Sequence, residues 1–393
     1  MPVAEKIQGF IQRASWIREM FEAGDRLRAE VGPENVFDFS LGNPDVEPPV
    51  EFKNILQELA ADKTPGLHGY MSNAGLPETR SAVAEYLSDE FGLNFSSDDV
   101  IMSVGAGGGL NVALKTILNP GDEVIVSSPY FVEYNFYIDN HGGEIKVVDT
   151  NPDFTLNLKN IEAAFTGKTR AVLINSPNNP TGVIYPEENI RDLSALLEGI
   201  SSKVGRPVFL ISDEPYRKII YDGVVVPSVF AHYKHVISVT SYSKDLSLPG
   251  ERIGFLAIHP EVPEKNLLLG GLILNTRIIG YVNAPVLMQR AVARLQGKSV
   301  DIGIYKRRRD IFVKGLKECD YDLIEPQGAF YLFPRSPIED DVAFTREMQK
   351  ENILVVPGSG FGKPGYFRLA YCVDEKMIEK ALPGFKRVRE RLK

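Results

Sequence analysis

The sequence predicts an α/β fold in which a mostly parallel sheet is covered by helices. Three largely apolar runs carry this prediction, at 170–175, 207–212 and 235–240. Near-continuous apolar runs are typical of strands that are buried on both faces of a parallel sheet. A helical pattern over 186–198 separates the first two runs, and alternation of strands with helices indicates an α/β domain.

Composition indicates an ordinary globular protein and argues against two classes of partner. The 393 residues are 44% hydrophobic and 24% charged, which predicts a large core and two domains. The formal net charge of −8 argues against nucleic acid or an anionic membrane as the main partner. The most apolar window, 267–274, is much shorter than the roughly 20 residues that span a bilayer.

Cysteine usage and the first residues predict a cytoplasmic protein without a metal site. Cys319 and Cys372 are far apart and match no metal-ligand spacing, so we expect plain thiols in a reducing compartment. Residues 1–6 have neither the basic region nor the apolar region of a signal peptide, so we expect no leader.

A glycine-rich turn, Gly-Ala-Gly-Gly-Gly at 105–109, connects a predicted strand at 100–104 to a predicted helix at 110–118. The N–H groups at a helix N-terminus bind anions such as phosphate. Leu110 breaks the dinucleotide-binding pattern G-x-G-x-x-G, and no segment completes the Walker pattern. The turn therefore predicts a phosphate cradle of another kind, and a plain glycine-rich turn is the alternative.

Lys244 lies just after the predicted strand at 235–240, and its neighbours suit an aldehyde cofactor. The lysine amine can form a Schiff base, while Ser241, Ser243 and Arg252 can hold a phosphate group. A lysine after a strand is ordinarily a solvated surface residue. The assignment therefore depends on which residues lie at the ends of the other strands.

Asp213 comes directly after the predicted strand at 207–212, where a buried carboxylate needs a positive partner such as a protonated ring nitrogen. A helix cap or a structural ion pair is the alternative. Ligands bind at the carboxyl ends of the strands in open α/β sheets, so we expect such residues to converge on one site. Further candidates after strands or in glycine-rich coil are Gly42, Tyr70, Phe131, Asn179 and Tyr216.

Arg368 lies in an apolar, aromatic strand, where an unpaired guanidinium would be costly. A structural salt bridge is one explanation, and a bidentate grip on a substrate carboxylate is the other. The arginine belongs to an α+β module that is predicted after residue 285. The elements predicted for this module and for the N-terminus are helices at 5–31 and 374–393 and strands at 328–333, 353–358 and 366–371.

As an ordered set, these residues resemble the motifs of the fold type I pyridoxal-phosphate enzymes, specifically the class I/II aminotransferases related to aspartate aminotransferase. The resemblance spans nearly the whole chain. It is carried by Ser-Leu-Gly-Asn-Pro-Asp at 40–45, Tyr70 with Gly-Leu-Pro at 75–77, Gly-Ala-Gly at 105–107, Pro-Tyr-Phe at 129–131, Asn-Pro-Thr-Gly at 179–182, Asp-Glu-Pro-Tyr at 213–216, Ser-Tyr-Ser-Lys at 241–244, Pro-Gly-Glu-Arg-Ile-Gly at 249–254 and Phe-Arg-Leu-Ala-Tyr at 367–371.

The resemblance implies a large domain with a mostly parallel seven-stranded sheet and a smaller α+β domain. It places an N-terminal arm and part of the small domain at 1–45, the large pyridoxal-phosphate-binding domain at 46–285 and the small C-terminal domain at 286–393. The small domain would close over the substrate. A homodimer is also implied, in which Tyr70 reaches the phosphate bound by the neighbouring subunit.

The resemblance implies catalytic roles for Lys244, Asp213 and Tyr216. Lys244 would form the Schiff base with pyridoxal phosphate and later move a proton, and Asp213 would pair with the pyridinium nitrogen. Asn179 and Tyr216 would hydrogen-bond the ring oxygen O3′. Phe131 would stack on the ring. The phosphate would be held by Gly105, Ala106, Gly107, Ser241, Ser243 and Arg252.

The implied activity is the transfer of an amino group from an L-amino acid to a 2-oxo acid by a ping-pong mechanism. Arg368 would bind the substrate α-carboxylate, with the Gly42 backbone and Asn179 beside it. The donor stays open among aspartate, alanine, aromatic and branched-chain amino acids. Arg277 and Lys115 are basic candidates for a distal carboxylate, whereas aromatic residues such as Tyr281 suit an apolar side chain.

Two other functions use the same cofactor residues. A C–S β-lyase or a decarboxylase of the same fold type would differ in its products. A pyridoxal-phosphate-binding regulatory module is less well supported, because the chain has no room for a separate N-terminal DNA-binding domain and its net charge is acidic.

Overall fold

A computed structural model describes residues 2–13 and 15–393, without the side chains of 12–22. The chain forms two compact units. The larger unit comprises Asn43–Lys306 and Glu325–Phe330, and the smaller unit comprises Met1–Gly42, Arg307–Ile324 and Tyr331–Lys393.

The strands are β1 (Phe37–Asp38), β2 (Val100–Ser103), β3 (Glu123–Ser128), β4 (Glu144–Asp149), β5 (Thr169–Asn175), β6 (Phe209–Asp213), β7 (Val236–Ser241), β8 (Gly254–Ile258), β9 (Tyr331–Leu332), β10 (Ile353–Leu354), β11 (Val356–Pro357) and β12 (Phe367–Ala370). The α-helices are α1 (Glu5–Arg13), α2 (Ser15–Val31), α3 (Val50–Ala61), α4 (Pro77–Phe91), α5 (Gly105–Ile117), α6 (Tyr134–Asp139), α7 (Leu158–Ala164), α8 (Glu187–Val204), α9 (Lys265–Ile278), α10 (Val286–Ala293), α11 (Ile302–Glu318), α12 (Asp341–Gln349) and α13 (Glu375–Arg391).

The larger unit is built on a seven-stranded sheet of order β2-β8-β7-β6-β5-β3-β4. Neighbouring strands from β4 to β7 run parallel, and β8 runs antiparallel to both of its neighbours. Along β6, Leu210 enters one hydrophobic cluster, while Phe209 and Ile211 enter another. The strand is therefore buried on both faces, which is why its sequence is apolar throughout. The predicted α/β fold with a mostly parallel sheet is confirmed.

The smaller unit contains a three-stranded antiparallel sheet, β11-β12-β9, and a parallel pair, β1-β10. The segment predicted as one strand at 353–358 forms two short strands, β10 and β11, which pair in different sheets, and a 3-10 helix begins at Gly358. The helix predicted over 5–31 corresponds to α1 and α2, and residue 14 lies outside the described residues.

Residues 286–306, which were predicted to belong to the small domain, lie in the larger unit. Helix α10 buries Ala291 and Val292 in a core cluster of that unit. The buried side chain of Gln289 accepts a hydrogen bond from the backbone N–H of Leu76 at 2.8 Å. The hydrogen bond between Leu76 and Gln289 joins residues 213 positions apart, so composition around residue 285 does not reveal it. Within the described residues, no helix is both long enough and apolar enough for a membrane span.

Candidate active site

Adjacent parallel strands bring two of the predicted residues, Asp213 and Lys244, to one edge of the large sheet. Asn175 is paired with Asp213 across β5 and β6, and Asp213 is paired with Val239 across β6 and β7. Lys244 lies in the turn after β7, five residues beyond Val239. The carboxyl ends of these strands therefore carry the candidate carboxylate and the candidate lysine side by side.

Asp213 is a buried carboxylate, and only one of its two oxygens has a hydrogen-bond partner among the described residues. Its Oδ2 accepts a 2.6 Å hydrogen bond from the Tyr134 hydroxyl. Its Oδ1 is buried and has no hydrogen-bond partner among the described residues. Burial raises the pKa of Asp213 from 3.8 to about 7, the Tyr134 hydrogen bond opposes that rise, and the nearby Glu214 charge adds to it. Such a group is suited to a cationic hydrogen-bond donor.

Sequence reasoning missed Tyr134, which lies in the first turn of α6, 79 residues before Asp213. The available signal was its position three residues after Phe131, a predicted site residue. The Phe131 ring meets the Tyr134 ring edge-on, with 5.6 Å between centroids. One aromatic pair thus connects the predicted stacking residue to the predicted carboxylate.

Lys244 is half-buried rather than solvated, so its environment differs from that of an ordinary surface lysine. Its Nζ lies 5.5 Å from the centroid of the Phe330 ring. The Phe330 ring also meets the Tyr216 ring edge-on at 5.5 Å. Phe330 is fully buried and thereby supports both predicted catalytic residues.

The glycine-rich turn is the first turn of α5, which begins at Gly105 rather than at Leu110 as predicted. Gly105 has φ +67°, and a Cβ there would lie 3.0 Å from Nη2 of Arg252. A Cβ at Gly107 would lie 2.9 Å from the Tyr137 hydroxyl. The N-terminus of α5 therefore faces a guanidinium and a phenol across a narrow space, an arrangement suited to an anion.

Two buried hydroxyls and an exposed arginine accompany this turn. Ser241 and Ser243 are both buried, and Arg252 donates through Nη1 to the Pro249 carbonyl at 2.8 Å. Arg252 itself has φ +51°, so its backbone adopts the left-handed conformation. The predicted phosphate residues lie at the start of α5, at the end of β7 and in the segment between β7 and β8, all within the larger unit.

The loop after β5 is held by asparagine side chains. The Asn179 N–H donates to Asn175 Oδ1 at 2.7 Å, and Asn175 Nδ2 donates to the Asp213 carbonyl at 2.8 Å. Asn178 Oδ1 accepts from the Thr181 hydroxyl at 2.9 Å. Asn179 is buried, and its backbone is tied through Asn175 to the segment that carries Asp213.

Arg368 and Gly42 lie together in the smaller unit. The Arg368 guanidinium carbon lies 4.8 Å from the Tyr331 ring centroid and 4.7 Å from that of Phe361. Its Nη2 donates to the Ser40 carbonyl at 2.5 Å. A Cβ at Gly42 would overlap the Tyr331 hydroxyl, so this position requires glycine. The sequence did not indicate that two rings enclose the buried guanidinium.

Three further predicted residues are exposed, in addition to Arg252. Tyr70 is 93% exposed in the larger unit, Arg277 is exposed near the end of α9, and Lys115 is exposed on α5. Among the side chains that the structure describes, no group of three from His, Cys, Asp or Glu is arranged to hold a metal ion.

The sequence pattern of aminotransferase class I and II matches residues 34–385. The chain belongs to this family.

Individual relatives agree with this assignment. A crystal structure of an amino transferase from Eubacterium rectale has a TM-score of 0.96 and 40% identity, covering 100% of this chain and 99% of that one. A probable aspartate aminotransferase from Methanocaldococcus jannaschii is 30% identical over 391 residues, 96% of this chain and 98% of the relative. The aspartate aminotransferase from Thermus thermophilus with maleate has a TM-score of 0.86 and 28% identity, covering 99% and 100% of the two chains.

The predicted resemblance and the predicted activity are therefore confirmed: this aminotransferase moves amino groups between amino acids and 2-oxo acids. Family membership explains why asparagine, aspartate, lysine and glycine residues meet at the carboxyl edge of one sheet. It does not by itself assign a role to each side chain.

Proposed function

We propose that the aminotransferase binds pyridoxal 5′-phosphate in the larger unit and exchanges amino groups between an L-amino acid and a 2-oxo acid. The observation that carries the proposal is the buried Oδ1 of Asp213, which has no hydrogen-bond partner among the described residues. A protonated pyridine nitrogen would supply the missing donor and the positive charge. The space between Gly105, Gly107 and Arg252 supports a phosphate group in the same unit.

Each predicted residue has a role that its surroundings support. Asp213 would bind the ring nitrogen, and Phe131 would stack on the ring. Asn179 and Tyr216 would donate to the ring oxygen O3′. The phosphate would be bound by Gly105, Ala106, Gly107, Ser241, Ser243 and Arg252.

When bound, pyridoxal phosphate supplies an aldehyde that takes up the amino group and a ring that accommodates negative charge from the substrate Cα. Lys244 would first hold the cofactor and then carry a proton on Nζ to and from the substrate. The apolar Phe330 ring lies beside the Nζ of Lys244, at 5.5 Å from its centroid, and would limit access of water from that side. Asp213 would keep the ring nitrogen positively charged throughout. The desolvation cost of the buried carboxylate is offset when a cation lies beside it, so the charged pair is favoured.

Arg368 would bind the α-carboxylate that amino acid and 2-oxo acid substrates share. The rings of Tyr331 and Phe361 hold the guanidinium, and the Ser40 carbonyl fixes one of its nitrogens. A guanidinium with limited freedom loses less entropy when it grips a carboxylate through two hydrogen bonds. Gly42 would allow the substrate to approach the backbone beside this arginine.

Aspartate and aromatic amino acids are the donors that the relatives favour. Their names include probable aspartate/prephenate aminotransferase from Aquifex aeolicus and aromatic-amino-acid aminotransferase 2 from Thermococcus litoralis. Arg277 stays the first candidate for a distal carboxylate and Lys115 the second. The exposure of both residues is consistent with contact to a second subunit or to a bound ligand.

A spectral half-reaction screen tests the function. The protein is loaded with pyridoxal phosphate and mixed with each of the twenty amino acids, and the visible absorption band of the cofactor is recorded without an acceptor. We expect the band to change with aspartate or an aromatic donor and the matching 2-oxo acid to appear in equal amount. Release of ammonia or carbon dioxide instead of a transferable amino group would contradict transamination and favour a lyase or decarboxylase.

An Arg368→Leu variant is expected to raise KM for both the amino donor and the 2-oxo acid by about 10²- to 10³-fold, because the carboxylate loses two charge-assisted hydrogen bonds. Pyridoxal phosphate binding should stay within about twofold of wild type, since the cofactor residues lie in the larger unit. Steady-state kinetics and a cofactor titration measure the two effects. Arg346→Leu, an exposed arginine on α12, is the control, and an equal rise in KM there would contradict the assignment.

We propose a homodimer with α9 in the interface. Leu267, Leu274 and Ile278 are 73%, 46% and 54% exposed and recur at helical spacing, which leaves an apolar stripe on this helix. Tyr70 is more exposed still and would reach the phosphate of the neighbouring subunit. The cytoplasmic location expected from composition stays a prediction.

Light scattering after size exclusion tests the dimer. Leu274→Glu with Ile278→Glu is expected to give a folded monomer, because charges placed in an apolar interface must be desolvated. Tyr70→Phe should leave the dimer intact and weaken pyridoxal phosphate binding about 10-fold, the loss of one hydrogen bond to a charged group. A dimeric glutamate double variant, or a Tyr70→Phe protein with unchanged cofactor affinity, would be evidence against this arrangement.

A further inference from the structure

An ion pair between the half-buried Lys218 and the buried Asp245 lies beside the turn of Lys244 and takes part in neither the proposed cofactor site nor the proposed carboxylate site. Lys218 Nζ lies 3.1 Å from Asp245 Oδ2, with side chains 19% and 8% exposed. Asp245 is the residue after Lys244, and Lys218 is two residues after Tyr216. The pair therefore links the two loops that carry the predicted catalytic residues.

Both partners are anchored beyond their mutual contact. The Lys218 ammonium lies 4.6 Å from the Tyr86 ring centroid, and it also donates to the Lys298 carbonyl at 3.5 Å. Asp245 Oδ1 accepts from the Leu246 N–H at 3.0 Å. The lysine is thus held on one side by an aromatic ring, and the carboxylate is tied to its own turn.

The backbone of Asp245 adds a second connection. Its carbonyl accepts from the Val300 N–H at 2.7 Å and from the Ser299 hydroxyl at 3.2 Å. Residues 298–300 consequently contact both ends of the ion pair, through the Lys298 carbonyl and the Ser299 and Val300 donors. All these residues belong to the larger unit.

A buried ion pair is a poor source of net stability, because desolvation of the two charges offsets most of their attraction. Burial raises the pKa of Asp245, and Lys218 opposes that rise. An apolar pair of similar volume would serve the core equally well. The pair is better explained by the geometry that it imposes on the two loops.

We propose that the Lys218–Asp245 ion pair is a positioning cross-link that sets the place of the Lys244 turn relative to the 213–216 segment. The inference rests on the proposed function, since it concerns how Lys244 meets the cofactor that Asp213 and Tyr216 hold. Lys218 and Asp245 are positioning residues and touch no reacting atom. A displacement of about 1 Å at a reacting group is sufficient to lower a rate by about 100-fold.

The test compares Lys218→Met, Asp245→Asn and the double variant in the protein loaded with pyridoxal phosphate. Each single variant leaves one buried charge unpaired, so both should lower the thermal midpoint. The double variant removes both charges and should recover the midpoint. In all three, kcat should fall about 10- to 100-fold, and KM for the donor should stay within about twofold.

Hydrogen exchange of residues 242–248 supplies a readout that does not depend on activity. Loss of the cross-link should speed exchange in this segment in all three variants, with and without cofactor. The single variants Lys265→Met and Asp99→Asn are the matched controls, because that ion pair also lies in the larger unit, with a half-buried lysine and a buried aspartate, and is on neither loop. Each control should lower the thermal midpoint and leave kcat and the exchange of 242–248 unchanged.

Recovery of both midpoint and kcat in the double variant would overturn the proposal, since the pair would then serve stability alone. Wild-type kcat and exchange in the single variants would also overturn it. Failure of the proposed function has a different signature: the wild-type absorption band would not respond to any amino donor, while the exchange comparison would still report on the cross-link.

Discussion

A Lys244→Ala variant is expected to lose about 10⁴-fold or more in kcat/KM while keeping its fold. The lysine amine would both hold the cofactor and carry the proton, and acid–base catalysis of this kind contributes up to about 10⁴-fold by itself. The side chain is half-buried in the turn after β7, with Nζ over the Phe330 ring. Stopped-flow and steady-state assays with the donor found in the screen measure the loss.

Two further lysine variants separate chemistry from charge. Lys244→Arg keeps the positive charge, but a guanidinium stays protonated at neutral pH and cannot serve as nucleophile or base. We therefore expect it to be as inactive as Lys244→Ala. Lys234→Ala removes an exposed lysine that pairs with Glu261 and should keep wild-type turnover. Substantial turnover by either Lys244 variant would refute the mechanism.

An Asp213→Asn variant is expected to lower kcat about 10²- to 10³-fold, comparable to the loss of one preorganised electrostatic group from an active site. Asparagine keeps the size of the side chain and the acceptor for Tyr134, but it cannot hold a proton on a ring nitrogen by charge. Cofactor affinity should fall as well. Asp149→Asn, an exposed carboxylate on β4 of the same sheet, should change neither quantity.

The free energy of unfolding of the cofactor-free protein should depend on pH through the raised pKa of Asp213. Burial raises this pKa from 3.8 to about 7, so the folded state binds more protons than the unfolded state between those values. Stability from this group is fully present below pH 3.8 and is lost as pH rises through 7, by about 4 kcal/mol in total. Urea unfolding from pH 4 to pH 8 should show a steeper decline for wild type than for Asp213→Asn.

Bound pyridoxal phosphate should reduce that decline, because a protonated ring nitrogen beside Oδ1 would lower the Asp213 pKa. The difference between cofactor-loaded and cofactor-free stability should therefore grow as pH rises from 4 to 7. A difference that does not vary with pH would argue that the cofactor leaves Asp213 without a charged partner.

Much of the large sheet was predictable from local sequence. The apolar runs that form β5, β6 and β7 are largely buried on both faces of the sheet. Burial on both faces requires apolar residues at nearly every position, so the sequence indicates such strands directly. The start of α5 was harder to predict from the sequence. Glycines disfavour helix interiors, yet residues 105–109 form the start of this helix. Contact with Arg252 and Tyr137 at this turn leaves no room for larger side chains at Gly105 and Gly107, and local propensity does not include that constraint.

The residues of the candidate site likewise include some that the sequence predicts and some that only the structure shows. Asp213 and Arg368 were identifiable because a charged side chain in or directly after an apolar strand is costly to bury without a partner. Lys244 was identifiable only together with the residues at neighbouring strand ends and from the family resemblance. The partners of Asp213 and Arg368 were not. Tyr134 donates to Asp213 from 79 residues away, and Phe361 and Tyr331 enclose Arg368 from separate segments. Nothing local to an aromatic residue distinguishes such a contact from ordinary core packing.

Local sequence was sufficient for the α/β class, for the order of chemically distinctive residues at successive strand ends and for the family that this order resembles. The folded chain was needed to show which oxygen of Asp213 lacks a partner among the described residues, which rings hold Arg368 and that Lys218 pairs with Asp245 beside Lys244. Periodicity and cost of burial are properties of a residue and its near neighbours. Hydrogen bonds and ion pairs depend instead on residues that only folding brings within about 3 Å of each other.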